Sequence, residues 1–377
     1  MERGMPRVLL MADYSNFHAT LAKGLRKLGC DVTVMSDGSL FMATDRDIDI
    51  SRRGGKLGGL ALAARLYGPL HGKMRGYDIV SFRDPAFLDL KPRRIGWFMK
   101  RLLRDNSACF LSYLSMDLPF MDMLESADSP LRYSEWFVDG KPNRLRVEDA
   151  PQWDGWHAPE MRRINDLLYA NIRGTVTALY EYHLSAQRVL PEEKIAYGGI
   201  PIDVDSIVPV NPGRPCRVRI FLGRDNRRKL QKGSDMLEEA AKAVVGRHPD
   251  KAELIILENR PRDEYMQVMR SCHVLLDQIY SYTPATMALE GMASGLTAVT
   301  GGEPEYYDFI GEKENFPIVN APIELEPLEK AIEEIVMHPE LLEENSRISR
   351  AFVEKHNALD TVARRTLDFW MKNIRQP

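Results

Sequence analysis

A chain of 377 residues exceeds what one hydrophobic core usually supports, so two domains are expected. Apolar content of 44% and a charged fraction of 28% are ordinary for a globular protein, and a formal charge of −3 argues against nucleic acid as partner. Four cysteines without a C-x-x-C pair offer no metal-site spacing, and no apolar run approaches the ~18–20 residues of a membrane helix. The opening MERGMPRVLLMAD runs into a strand without the apolar region of a signal peptide, so a cytoplasmic location is expected.

Residues 7–11 read as a short apolar strand, followed by the loop ADYSNFH and a helix over 18–28 with Leu21, Ala22, Leu25 and Leu28 on one face. Gly29 stops that helix, and residues 32–36 form the next strand, a Rossmann-like opening. The loop has no glycine and is therefore not a dinucleotide fingerprint. Asn16 and His18 are acceptor-side candidates at the strand's carboxyl end, the alternative being an N-cap for Asn16 and a surface position for His18.

Residues 51–58, SRRGGKLG, form a basic glycine-rich loop before a helix near 61–73. Residues 77–82 are a strand ending in Arg83-Asp84-Pro85, with Arg83 a third acceptor-side candidate. A helix over 92–104 sets Arg93, Arg94, Lys100, Arg101 and Arg104 among Ile95, Trp97, Phe98, Leu102 and Leu103. Such a helix lies on an anionic membrane surface, at the inner face of the membrane, or else packs one face and solvates the other. Residues 109–114 are a strand, with Ser115, Met116 and Asp117 at its carboxyl end. Residues 118–158 show little regular periodicity and read as a functional loop or lid. Trp136, Trp153 and Trp156 there either stack on sugar rings or pack onto the domain surface. A helix over 159–169, a strand at 174–178, a helix over 181–190 and a strand at 194–197 precede GGIPIDVDSIVPVNPGRP, residues 198–215, an interdomain linker.

The second half repeats the pattern. A strand at 218–222 leads into GRDNRRKLQKG, which holds Arg224, Arg227, Arg228, Lys229 and Lys232. Ser234 N-caps a helix whose core face is Met236, Leu237, Ala240, Ala241 and Val244. A strand at 253–257 and a helix over 263–270 follow. Residues 271–302, SCHVLLDQIYSYTPATMALEGMASGLTAVTGG, then give a strand at 274–277, a polar turn over 278–285, a helix over 286–294 and a strand at 296–300. Helices over 327–337, 340–356 and 359–374 end the chain. A strand, tight loop and helix start is where open α/β sheets bind phosphorylated ligands. The guanidinium of Arg224 and ammonium of Lys232 suit a diphosphate, the helix start at Thr286 adds N–H donors, and Glu290 suits a hydroxylated group.

Over nearly its whole length the chain resembles the GT-B fold glycosyltransferases of group 1, family 4. The resemblance rests on FLGRDNRRKLQKG, LEGMASGLTAV, Gly301-Gly302-Glu303-Pro304-Glu305 and the linker 197–203. It implies an α/β architecture of two Rossmann-like domains facing across a cleft: an N-terminal acceptor domain, 1–200, and a C-terminal donor domain, 201–358. The C-terminal helix, 359–377, crosses back to the first. It also implies a retaining sugar transfer from a UDP- or GDP-linked donor, with no cofactor and no metal. Arg224 and Lys232 hold the diphosphate and stabilise its departure, backbone amides around Ala285 and Thr286 meet the phosphates, and Glu290 holds the ribose. The acceptor is a glycan, a lipid-linked molecule or a small molecule. In this chain the first glutamate of the family's pair falls on Tyr282, and its glycine loop is replaced by Thr283-Pro284-Ala285, at the donor-sugar end. Pro284 has no N–H to offer. Leu114 stands where the family has a histidine, leaving Asp117 as the catalytic candidate or as a structural N-cap. A catalytically degenerate binding or scaffold protein and a nucleotide-sugar epimerase are the alternatives.

Overall fold

The computed structural model describes residues 4–39, 43–55, 57–210, 213–258, 260 and 262–374. Lys56 of the basic loop, Asn211 and Pro212 of the expected linker, and residues 375–377 after the last helix lie outside the described residues. Two compact units divide the chain. The first takes the described residues of 1–128, 151–201 and 359–377, and the second takes 129–150 and 202–358.

In the first unit seven strands pair in parallel: β1 (Arg7–Met11), β2 (Asp31–Ser36), β3 (Ile48–Asp49), β4 (Ile79–Phe82), β5 (Ala108–Tyr113), β6 (Gly174–Thr177) and β7 (Ile195–Tyr197). Their order is β3-β2-β1-β4-β5-β6-β7. Val8 to Met11 and Ile79 to Phe82 have no exposed surface, as expected for parallel strands covered on both faces. The helices are α1 (Phe17–Lys27), α2 (Gly58–Tyr67), α3 (Pro92–Asp105), α4 (Leu118–Glu125), α5 (Pro159–Tyr169) and α6 (Tyr180–Gln187). The C-terminal helix, Leu359–Asn373, packs on α1 at a glycine, where a Cβ on Gly24 would stand 2.6 Å from Cβ of Ala363.

The second unit holds a five-stranded parallel sheet: β8 (Val218–Arg224), β9 (Ala252–Glu258), β10 (Val274–Leu276), β11 (Thr297–Thr300) and β12 (Val319–Asn320). The order is β9-β8-β10-β11-β12. Its helices are α7 (Ser234–Arg247), α8 (Arg262–Arg270), α9 (Thr286–Ala293), α10 (Pro304–Ile310), α11 (Leu325–Met337) and α12 (Leu342–His356). Val218, Ile220 and Leu222 of β8 pack with Leu237, Ala241 and Val244 of α7 and with Ile332 and Val336 of α11. Both sheets are doubly wound, with strand order reversing between β1 and β4 in one and between β8 and β10 in the other.

The stretch 118–158 corrects the expectation of a largely irregular loop. It contains α4, short helices Arg144–Glu148 and Ala150–His157, and a hairpin pairing Phe137–Val138 with Lys141–Pro142. Trp136 and Trp153 are buried, so their rings pack inside the protein and do not offer a stacking surface. Residues 129–150 are compact with the second unit, although the chain order alone placed them in the first.

Candidate functional site

The strand-order reversal of the second sheet is where that topology opens a crevice at the carboxyl ends of its strands. β8 ends there on Gly223 and Arg224, and β10 leads there into Asp277. Lys232 Nζ donates to Asp277 Oδ1 at 2.6 Å, while Asp277 Oδ2 is buried without a hydrogen-bond partner. Gly233 follows in the left-handed region, φ 65°, where a side chain is disfavoured and a Cβ would overlap Ile279. α9 begins beside this pair. Its N-cap residue, Ala285, gives no side-chain cap, so the first-turn amides lack the usual acceptor.

Glu290, in the second turn of α9, is buried and accepts from Arg262 Nη2 at 2.5 Å. Its Oε2 and the Nη1 of Arg262 are both buried and unpartnered. Tyr265 joins the two ion pairs. Burial raises the pKa of its hydroxyl, the charges of Asp277 and Glu290 raise it further, and Arg262 opposes them. The Tyr265 ring lies over the end of β8, and a Cβ on Gly223 would overlap its hydroxyl. Thus Lys232, Glu290 and the start of α9 gather at one sheet edge with three residues the sequence pattern did not single out: Asp277, Arg262 and Tyr265.

Arg224 is placed at the same edge but is committed to carboxylates. Its Nη1 donates to Glu238 at 2.5 Å and its Nη2 to Glu258 at 2.6 Å. Register explains the second contact, since Arg224 and Glu258 are direct partners across β8 and β9. Arg227 pairs with Asp225 at 2.9 Å, and Arg228 donates to Gln231 at 2.9 Å. The basic loop is thus extensively tied to neighbouring acceptors rather than presenting a wholly unpaired cluster of cations.

Tyr282 is buried and its hydroxyl accepts from the Arg132 backbone N–H at 2.7 Å. Its ring packs against Tyr133, with centroids 4.9 Å apart, and the Arg132 guanidinium sits 5.5 Å above it. Arg132 also donates to Glu303 and, at 2.7 Å, to Glu305. Tyr133 and Asn320 each donate to Glu303 at 2.6 Å. At position 282 this chain has an aromatic that seats the 129–150 segment. Thr283 is buried beside it.

At the other reversal, between β1 and β4, the loop from Ala12 to Asn16 bends with positive φ at three non-glycine residues, Ala12, Ser15 and Asn16. Such conformations cost energy and concentrate at functional loops. Asp13 Oδ1 holds the turn by accepting from the backbone N–H of Tyr14 and of His18, each at 2.8 Å. His18 corrects the surface reading: it has no exposed area, and its Nδ1–H donates to the Ala12 carbonyl at 2.5 Å. Burial lowers its pKa, and Asp13 opposes that shift. Asn16 occupies the N-cap position but makes no side-chain cap; its amide donates to Thr20 at 3.1 Å instead. Arg83 donates to Asp84 at 2.6 Å and to the Asp13 carbonyl at 3.1 Å, and Ser115 donates to Asp84 at 2.8 Å. Asp13 Oδ2, His18 Nε2 and Asp84 Oδ1 are buried without partners, so this edge also concentrates unsatisfied polar groups.

Asp117 is the N-cap of α4. It has no exposed surface and accepts from the Phe120 N–H at 3.1 Å, from Tyr169 at 2.5 Å and from the Tyr113 hydroxyl. Its Oδ1 accepts two of these bonds and its Oδ2 one, so Asp117 serves as the N-cap of α4. No group of three or more His, Cys, Asp or Glu suited to a metal ion occurs among the described residues, and no described helix is long and apolar enough to cross a membrane.

No protein-family model matches the chain, and no curated protein matches it in sequence. Solved structures do. Anabaena HepE, crystallised with UDP and glucose, is similar at a TM-score of 0.60 and 13% identity, over 97% of this chain and 100% of its own. Sucrose-phosphate synthase from Thermosynechococcus elongatus is similar at a TM-score of 0.60 and 12% identity, over 97% and 98%. A Listeria monocytogenes protein assigned as a UDP-N-acetylglucosamine 2-epimerase reaches a TM-score of 0.52 at 10% identity, over 97% and 95%. The chain has the GT-B fold, two Rossmann-like domains with the C-terminal helix returned to the first.

Proposed function

We propose that this protein is a glycosyltransferase, moving a sugar from a nucleotide-diphosphate donor to an acceptor hydroxyl with retention and without a metal ion. The observation that supports it best is the second sheet's crevice, where the Lys232–Asp277 and Arg262–Glu290 pairs flank the uncapped start of α9. Each pair keeps a buried polar atom unsatisfied, as a site does when its ligand supplies the missing bond. A diphosphate entering there takes charge-assisted bonds from Lys232, Arg262 and the amides of Ala285 and Thr286. Arg224 lies at the same edge, where a diphosphate would compete with Glu238 and Glu258 for its fork. Glu290 Oε2 suits a ribose hydroxyl, and Tyr282 and Thr283 border the donor-sugar end.

In the reaction the bond from the sugar's anomeric carbon to the diphosphate oxygen breaks. A bond to the acceptor oxygen forms on the same face, and the acceptor proton passes to the departing phosphate. No protein base is required, and the residues contribute position and charge stabilisation. The acceptor is assigned to the first unit's crevice, with Asn16 and Arg83 at its surface and His18 behind them, holding the loop. HepE, crystallised with UDP, supports a uridine nucleotide as the first donor to try.

Calorimetry with UDP and with GDP tests the site. Lys232→Ala, Arg262→Ala and Arg224→Ala should each weaken binding by roughly 10–100-fold, the cost of a charge-assisted hydrogen bond. Unchanged affinity in all three overturns the proposal. A second reading, a binding protein that transfers nothing, is favoured by Tyr282, whose hydroxyl is spent on Arg132. Incubation with UDP-sugar separates the readings. Slow release of UDP marks a transferase, a converted sugar without acceptor marks an epimerase, and binding with neither marks the inert protein.

A further inference from the structure

α2 and α3 lie side by side on the first unit. Tyr67 of α2 packs on Phe98 of α3, with ring centroids 4.5 Å apart, and meets Trp97 edge-on at 6.2 Å. Arg52, just before α2, reaches Asp89, just before α3. α3 buries Ile95, Phe98, Met99 and Leu102 and turns Arg93, Trp97, Lys100 and Arg104 outward at helical spacing. Its neighbour behaves otherwise. α2 buries Leu62, Ala63 and Leu66, yet its outward stripe, Leu57, Leu60, Ala61 and Ala64, is also apolar. Leu57 is 74% exposed, Leu60 52% and Trp97 58%.

The charge around these side chains is one-sided. Residues 51–77 contain six Lys or Arg and 90–104 contain six more, with no Asp or Glu in either, in a chain whose totals are 51 basic and 54 acidic. Arg52 and Arg53 are paired with Asp89 and Asp49. Lys91, Arg93, Arg94 and Lys100 form no ion pair among the described residues. Arg101 stacks 4.9 Å over the Tyr67 ring.

We infer that this face docks on an anionic lipid bilayer, with Leu57, Leu60 and Trp97 entering the headgroup boundary and the α3 cations resting on lipid phosphates. Charge complementarity selects this occupant. An acidic surface satisfies the unpaired cations, and only an apolar layer beneath it rewards burying the leucines. A second copy of this face would set cation against cation. Tryptophan favours such a boundary because its ring is apolar and its N–H polar. The inference is independent of glycosyl transfer.

Co-sedimentation of the full chain with phosphatidylcholine vesicles, with and without phosphatidylglycerol, is the test. Binding is expected to the mixed vesicles alone and to fall with added salt. Arg93→Gln with Lys100→Gln should weaken it roughly 30-fold, since each cation near an anionic surface contributes about 1 kcal/mol. Leu57→Ser with Leu60→Ser should weaken it several-fold, and a blue shift of tryptophan emission on binding should diminish in Trp97→Phe. Circular dichroism checks that the variants fold. Absence of binding, equal binding to both vesicle types, or binding untouched by either double variant overturns the inference. So does a dimer, seen by light scattering, that the leucine variant dissolves.

Discussion

At single residues, environment decides chemistry that residue type leaves open. Asp117 and Glu312 are both buried carboxylates, and their surroundings move them in opposite directions. Burial pushes Asp117 up to about 7, against the hydrogen bonds from Tyr113, Tyr169 and the Phe120 N–H. An unfolded aspartate titrates near 3.9, so this group's contribution is fully present below about pH 4 and is lost as pH rises toward 7. Asp117→Asn should keep the cap and flatten that part of the stability profile, measured by urea unfolding from pH 4 to pH 8. An unaltered slope would show that Asp117 is not its source. The same contrast applies to the candidate donor site. Lys232 and Glu290 were recognisable from their place in a strand–loop–helix pattern. Asp277 and Arg262 were not, because the ion pairs they complete span 45 and 28 residues of sequence.

Among elements, periodicity located the strands and helices well, because parallel strands must be apolar throughout and core helices must repeat at 3.6 residues. It failed over 118–158. The helices there are short, and residues 129–150 take their partners from the second unit, through Arg132 with Tyr282 and Tyr133 with Glu303. Contacts across 150 or more residues leave no local period. The C-terminal helix shows packing at close quarters, where Gly24 permits approach to Leu359 and Ala363. Gly24→Val should destabilise the protein by about 1–3 kcal/mol through overpacking, read as a lower urea midpoint, and Ala363→Gly should recover part of the loss. A neutral Gly24→Val would contradict that packing.

For the molecule as a whole, two doubly wound sheets place two polar edges at their reversal points, and each edge holds unsatisfied buried groups. Stability at this scale depends on acid. Glu312 follows α10 and ties it to α12, accepting from Lys355 and His356, each at 2.7 Å, and from the N–H groups of Lys313, Glu314 and Asn315. Burial alone would raise its pKa, but Lys355, His356 and those amides outweigh it and hold the carboxyl far below the usual range. An unfolded glutamate titrates near 4.3, so the stabilisation is complete above that pH and is lost as pH falls below it. Urea midpoints should therefore drop as pH falls from about 4 to 2, and Glu312→Gln should be less stable at pH 6 with a shallower drop below pH 4.

The sequence by itself determined the alternation of strand and helix, and its resemblance to the GT-B glycosyltransferases implied the two-domain fold and the return of the last helix. The alternation follows from periodicity and glycine stops. Only the tertiary structure decided which cations are already paired, that His18 and Asp117 are enclosed, that 129–150 belongs with the second unit, and that the apolar stripe of α2 adjoins the cations of α3. Burial and charge pairing are properties of neighbours in space, and in this chain those neighbours are mostly distant in sequence.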